Sequence, residues 1–142
     1  MIALYLWLGL GCSSKKFPTT TIKVGDLAVL VELAVNEEQR AQGLMHRASM
    51  PHDEGMLFVY PSEKPRSFWM KDTKLPLSIA YIDSSGKIVK ISKMQPLSRQ
   101  SVKSIYPAKY ALEMNQGWFD EKGFKKGVMV TDLPDDKQIG AE

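Results

Sequence analysis

The chemistry-bearing side chains of this chain gather around the stretch PRSFWMKDTKLPL, residues 65 to 77. Side chains two apart on a strand share a face. Read as a strand from Phe68 to Lys71, the stretch sends Phe68 and Met70 to a core and turns Trp69, Lys71 and Thr73 the other way. A tryptophan beside a lysine can hold a flat or anionic ligand against its ring. A second candidate is Glu113 in YALEM, where Tyr110, Leu112 and Met114 share one face and Ala111 and Glu113 the other. A carboxylate among apolar neighbours is costly to bury unless paired, so Arg47, Arg66 or Lys71 is expected beside it. Arg47, Trp69, Lys71, Thr73 and Glu113 then make a small polar pocket. The plainer use of the same residues is structural, with Trp69 capping a patch of core and Glu113 in an ordinary ion pair.

Other chemistries are less well served. There are two histidines, His46 and His52, and neither belongs to a two-histidine helical zinc motif. Met45, Met50 and Met56 flank them, and thioether with imidazole suits Cu(I), so this segment is the alternative metal site. Methionine more commonly fills cores. No Gly-x-Ser-x-Gly elbow and no glycine-rich phosphate loop is present. Asp53, Glu54, Asp72 and Glu113 could supply the carboxylate pair of a glycoside hydrolase acting on the cell envelope, at a separation that sequence does not place. No cofactor is implied. Arg99, Lys103 and Lys109 form a small basic group that is most simply a solvated face. The net charge of +3 argues neither for nor against an acidic partner.

The elements that must position these residues follow from turn chemistry. Residues 19–24 and 27–35 read as strands joined by Gly25-Asp26, with glycine first as a type II′ hairpin requires. Leu27, Val29, Val31, Leu33 and Val35 then share one core-facing side. Asn36 with Gln39 three residues on forms a capping box, and Gly43 stops a short helix over residues 37–42. Met56 to Tyr60 is a continuous apolar run ending at Pro61, as in a strand buried on both faces. Residues 77–83 and 87–91 form a hairpin across Ser84-Ser85-Gly86, and residues 109–114 and 127–131 complete the strands. Short strands with one small helix predict a mainly antiparallel jelly-roll-like sandwich or partly closed barrel. The tail TDLPDDKQIGAE is polar and broken by proline, and is expected to fray.

The opening run MIALYLWLGLG is uncharged and too short for a bilayer span of about 20 residues. It suits the apolar region of a secretory signal. Leu-Gly-Cys at its end resembles a bacterial lipoprotein signal, which implies that residues 1–11 are removed and Cys12 is lipidated. Cys12 is the only cysteine, so the mature domain relies on its core rather than on disulfides. Residues 13–20 form a linker and 21–131 one domain. The expected address is the bacterial envelope, anchored through lipid and facing the periplasm, with Ser13 leaning towards the outer membrane. That address disfavours nucleic acid as a partner and favours a small molecule or envelope component. A buried amino-terminal helix with an ordinary thiol is the other use of this run.

Four strings in order, EEQRAQGLMHR, GMLFVY, FWMKDTKLPLSIAYID and YALEM, together resemble the domain of unknown function 192, also called uncharacterised protein family 0127. The resemblance covers residues 21 to 131. It implies a compact β-rich, jelly-roll-like domain, often exported, without an established general activity. The family usually has an aspartate after the Pro-Leu pair, where this chain has Ser78. The reading that follows is a binding or accessory module rather than an enzyme.

Overall fold

A computed structural model describes residues 17–140. The signal-like run, Cys12 and residues 13–16 lie outside the described residues. The elements in order are β1 (Thr19–Val24), β2 (Leu27–Ala34), α1 (Glu37–Gln42), β3 (Glu54–Phe68), β4 (Leu77–Ile82), β5 (Ile88–Met94), β6 (Val102–Asn115), α2 (Trp118–Lys122), β7 (Val130–Thr131) and α3 (Asp136–Ile139). Seven strands form one sheet in the order β5-β4-β6-β3-β2-β1-β7, curled into a half-barrel.

The turns do what their residues dictate. Gly25 has φ 55 and Asp26 keeps an ordinary negative φ, as a hairpin with glycine first demands. Asn36 accepts from the Gln39 N–H at 2.8 Å and the Gln39 side chain reaches back to the Asn36 N–H, so the capping box is complete. Arg40 of α1 donates to the carbonyls of Val35 and Val59 at 2.7 and 3.0 Å, which pins the helix across β2 and β3. Those two strands run parallel while every other pair is antiparallel. The crossover that a parallel pair needs is the segment holding α1.

The curl is closed where the sheet's edges approach each other. Lys87 and Met129 form a bridge, and Val130 donates to the Gly86 carbonyl at 2.7 Å. Gly86 has φ 92, and a Cβ there would lie 2.4 Å from the Val130 carbonyl oxygen. Inside the curl, Val29, Val31, Leu57, Leu112, Ile88 and Val130 pack into one core, with Trp118 and Phe119 of α2 plugging it. Leu27 is the member of the expected apolar face that stays exposed. The other side of the sheet carries a second core of Met56, Phe58, Ile79, Tyr81, Leu44 and Met70.

Several elements differ from the sequence reading. Residues 68–71 are not a separate strand: Phe68 ends β3, and Lys71-Asp72 form a turn with Asp72 at φ 53. Strand β3 does not stop at Pro61 but bends through register shifts after Val59 and after Pro65. Pro61 falls in the first irregularity, and Pro65 faces Pro107, so neither lacks a needed N–H partner. The bend is sharp. Ten residues of straight strand span about 33 Å, yet the rings of Phe58 and Phe68 touch edge to face at 4.9 Å.

Among the described residues two further helices follow α1, both under six residues, too short for periodicity to reveal. Phe17 is buried in the second core and Thr19 already belongs to β1, within the stretch expected to be linker. In the tail, Lys109 holds Asp136 of α3 at 2.7 Å.

Candidate functional site

The bend in β3 makes a cleft. The end of β3 and the start of β6 fold back over the second core, and α1 with the Gly43–Met45 segment stands opposite. The space between is about 530 Å³, within the usual range of small-molecule sites. Phe58, Phe68, Leu44 and Trp69 supply its apolar lining, while Arg40, Lys64 and Arg66 supply positive charge. Tyr60 lies between two guanidinium groups, with Arg66 at 3.7 Å and Arg40 at 4.8 Å from its ring centre. Burial pushes the Tyr60 hydroxyl above its ordinary range, so the ring stays neutral.

Glu113 lies in the floor. It sits on β6, an inner strand, between Met56 of β3 and Ile79 of β4, and is 4% exposed. Among the described residues it makes no hydrogen bond and no ion pair, yet its oxygens are not sealed from the cleft. Desolvation alone drives its pKa from 4.5 up to about 8. A buried carboxyl without a cation keeps its proton. The expected basic partner is therefore absent: protonation, rather than pairing, is how this site tolerates burial. At neutral pH the protonated Glu113 can donate a hydrogen bond into a cleft bordered by Arg40, Lys64 and Arg66 and by Glu37.

The five predicted pocket residues divide. Trp69, Thr73 and Glu113 line the cleft together. Lys71 stands at its margin, with its ammonium 5.5 Å from the Trp69 ring centre. Trp69 and Lys71 thus do project together, although a turn rather than strand alternation brings them there. Trp69 is 49% exposed, a ring on show rather than a cap on a core. Thr73 is buried and donates to the Lys71 carbonyl at 3.0 Å, leaving its oxygen able to accept. Arg47 is elsewhere. It forms a two-point ion pair with Glu32 of β2 and covers the ring of Phe17 at 5.6 Å.

The remaining candidates have separate surroundings. Met50 and Met56 are buried in the second core, Met45 borders the cleft, His46 is exposed, and His52 meets Glu121 at 2.9 Å. Among the described residues no group of three or more His, Cys, Asp or Glu side chains could hold a metal ion. Of the four carboxylates considered for hydrolysis, Glu113 alone lines the cleft. Asp53 instead accepts from the Trp118 indole at 2.9 Å and faces Lys122 at 3.3 Å. Ser78 accepts from the Gly117 N–H at 3.1 Å, a backbone contact at the start of α2. Of the small basic group, Lys109 is tied to Asp136 at 2.7 Å.

Sequence reasoning missed Arg40 and Tyr60 and cast Arg66 only as a partner for Glu113. Their shared signal is weak: Arg40 follows a helix cap and Tyr60 ends an apolar run. Nothing local says that a bend in β3 will bring them together.

Comparison with known proteins places this geometry. The profile of DUF192, described as "Uncharacterized ACR", matches residues 20–131. A crystal structure of a candidate transcription regulator from Sinorhizobium meliloti 1021 is similar with a TM-score of 0.78 and 35% identity, over 80% of this chain and 93% of that one. A protein of unknown function from Novosphingobium aromaticivorans DSM 12444 has the same TM-score at 25% identity, over 83% of this chain and 88% of that one. A Staphylococcus aureus (strain MRSA252) protein named Serine protease HtrA-like is 30% identical over 104 residues. That match takes 70% of this chain and spans 13% of the relative's length.

Proposed function

The chain belongs to the DUF192 family, and on that footing we propose that it is a small-molecule binding module whose site is the cleft in the bend of β3. One observation supports this above the others. Glu113 is 4% exposed on an inner strand of the sheet, with no hydrogen bond or ion pair among the described residues and its carboxyl lining the cleft. A carboxyl that contacts no protein group and opens only onto a cleft is what a site for a polar ligand has before the ligand arrives. The half-exposed Trp69 ring is the matching wall. Proteolysis is not part of this proposal, because the matched stretch is a small part of the HtrA-like relatives. Hydrolysis through paired acids is also left aside, since Glu113 is the one candidate carboxylate in the cleft.

The proposed setting is the cell envelope, with the domain held at the membrane through lipid on Cys12 and facing the periplasm. The support is the uncharged run ending in Gly11-Cys12. Stable anchoring needs more than one acyl chain, as a lipoprotein cysteine carries. Replacing Cys12 with serine should move the protein from membranes to the soluble fraction, and unchanged retention with an intact amino terminus refutes the anchor.

The binding proposal is tested by a fragment screen followed by amide and indole NMR shifts on the chain from Lys16 onward. Shifts should converge on Trp69, Tyr60, Arg66 and Glu113. Shifts scattered over the surface, or none at millimolar concentrations, would refute the cleft as a site.

A further inference from the structure

Resting on the binding role proposed for the cleft, we infer that its ligand is a small carboxylate carried on a flat apolar frame, received by Glu113 as hydrogen-bond donor and by Arg66 as counter-cation. The polarity of the site decides this. Arg40, Lys64 and Arg66 line the cleft with positive charge, against Glu37 as the other carboxylate besides Glu113. Arg66 spends its Nε on the Ala108 carbonyl at 3.1 Å and its Nη2 on the Ser62 carbonyl. Its Nη1 has no acceptor among the described residues. A guanidinium held by two backbone carbonyls with one nitrogen spare is a positioned anion receptor. The frame of the ligand follows from Phe58, Phe68 and Trp69, whose rings offer faces and edges to a flat group.

An aromatic enclosure with a carboxyl floor also suits a cation, so the two signs must be weighed. An ammonium ligand would need Glu113 ionised. The groups facing Glu113 from the packed elements are Tyr60 and Tyr81, both kept neutral by burial, with Arg40 and Arg66 beyond Tyr60. The cationic ligand would therefore have to displace a proton and then lie beside two fixed guanidiniums. A carboxylate needs neither step. It accepts one hydrogen bond from the protonated Glu113 and others from Arg66, and the proton stays on Glu113.

Three probes of one shape separate these outcomes: benzoate, benzyl alcohol and benzyltrimethylammonium, each titrated between pH 6 and 9.5 and followed by Trp69 fluorescence, with Trp69→Phe as the blank. Benzoate should bind at least tenfold tighter than benzyl alcohol, with the cation weakest. Its affinity should be level to about pH 8 and then fall towards tenfold per pH unit, because only the protonated acid donates. Glu113→Gln keeps a donor without a titration, so it should retain benzoate binding and lose that fall. Arg66→Met should weaken benzoate more than tenfold and leave benzyl alcohol within twofold. Preference for the cation, with affinity rising with pH, overturns the carboxylate assignment while leaving the cleft a binding site. No response to any of the three overturns both.

Discussion

Replacing Glu113 with glutamine should make the protein more stable at alkaline pH, by an amount set by burial. The folded carboxyl has a pKa of about 8 against an ordinary 4.5. Between these values the folded chain binds more protons than the unfolded one, so stability falls as pH rises through that window. Below 4.5 both states are protonated and the group contributes nothing. The loss grows by about 1.4 kcal/mol per unit. It reaches about 3 kcal/mol at pH 7 and levels off near 5 kcal/mol above pH 8. A domain of this size has only about 5–15 kcal/mol in total, so the wild type should be marginal at pH 9.5. Glutamine has the same shape and no proton to lose. Urea unfolding monitored by the buried Trp118, at pH 4.5, 6, 7.5 and 9, gives the difference between the two proteins. The lowered pKa values of Asp53 and Asp136 act in both proteins and cancel. A difference that stays within about 0.5 kcal/mol over this range would mean that Glu113 finds a cation or water after all, and the reasoning about its proton would fail.

Three further outcomes are expected. Trp69→Ala, at a half-exposed ring, should cost under about 1.5 kcal/mol, whereas Met70→Ala, at a residue 1% exposed, should cost about 2–5 kcal/mol; chemical denaturation of the two variants measures the contrast. Gly55→Ala should be severely destabilising, by about 3 kcal/mol or more, because its Cβ would lie 2.3 Å from the Met114 sulfur and 2.5 Å from the Glu113 carbonyl oxygen; a melting temperature within a few degrees of wild type would refute it. Asn36→Ala should lose about 1 kcal/mol with the capping box and leave β-sheet circular dichroism unchanged.

Local rules reach far in this chain. Asn36, Gln39 and Gly43 sit three and four residues apart, so the helix they delimit depends on backbone groups within reach of their own side chains. The Gly25-Asp26 hairpin and the inward set Val29, Val31 and Leu33 were legible for the same reason, since turn conformation and strand alternation are properties of neighbouring residues. Alternation also placed Glu113 on the face opposite Leu112 and Met114. It did not say how deep that face lies. Depth comes from β3 and β4 flanking β6 on both sides, and from β3 folding back so that Phe68 returns to Phe58 and Tyr81. Pro61 looked like a strand boundary because sequence shows the missing N–H without showing whether a partner strand asks for it. Arg47 and Arg66 looked interchangeable as partners for Glu113, since a charge has no address along the chain. What the sequence determined is therefore the elements, their caps and their two-sided strands, all set by contacts over a few residues. The cleft, the solitary proton on Glu113 and the arginines beside it were decided only by the tertiary structure, because desolvation and charge pairing depend on which distant strands meet.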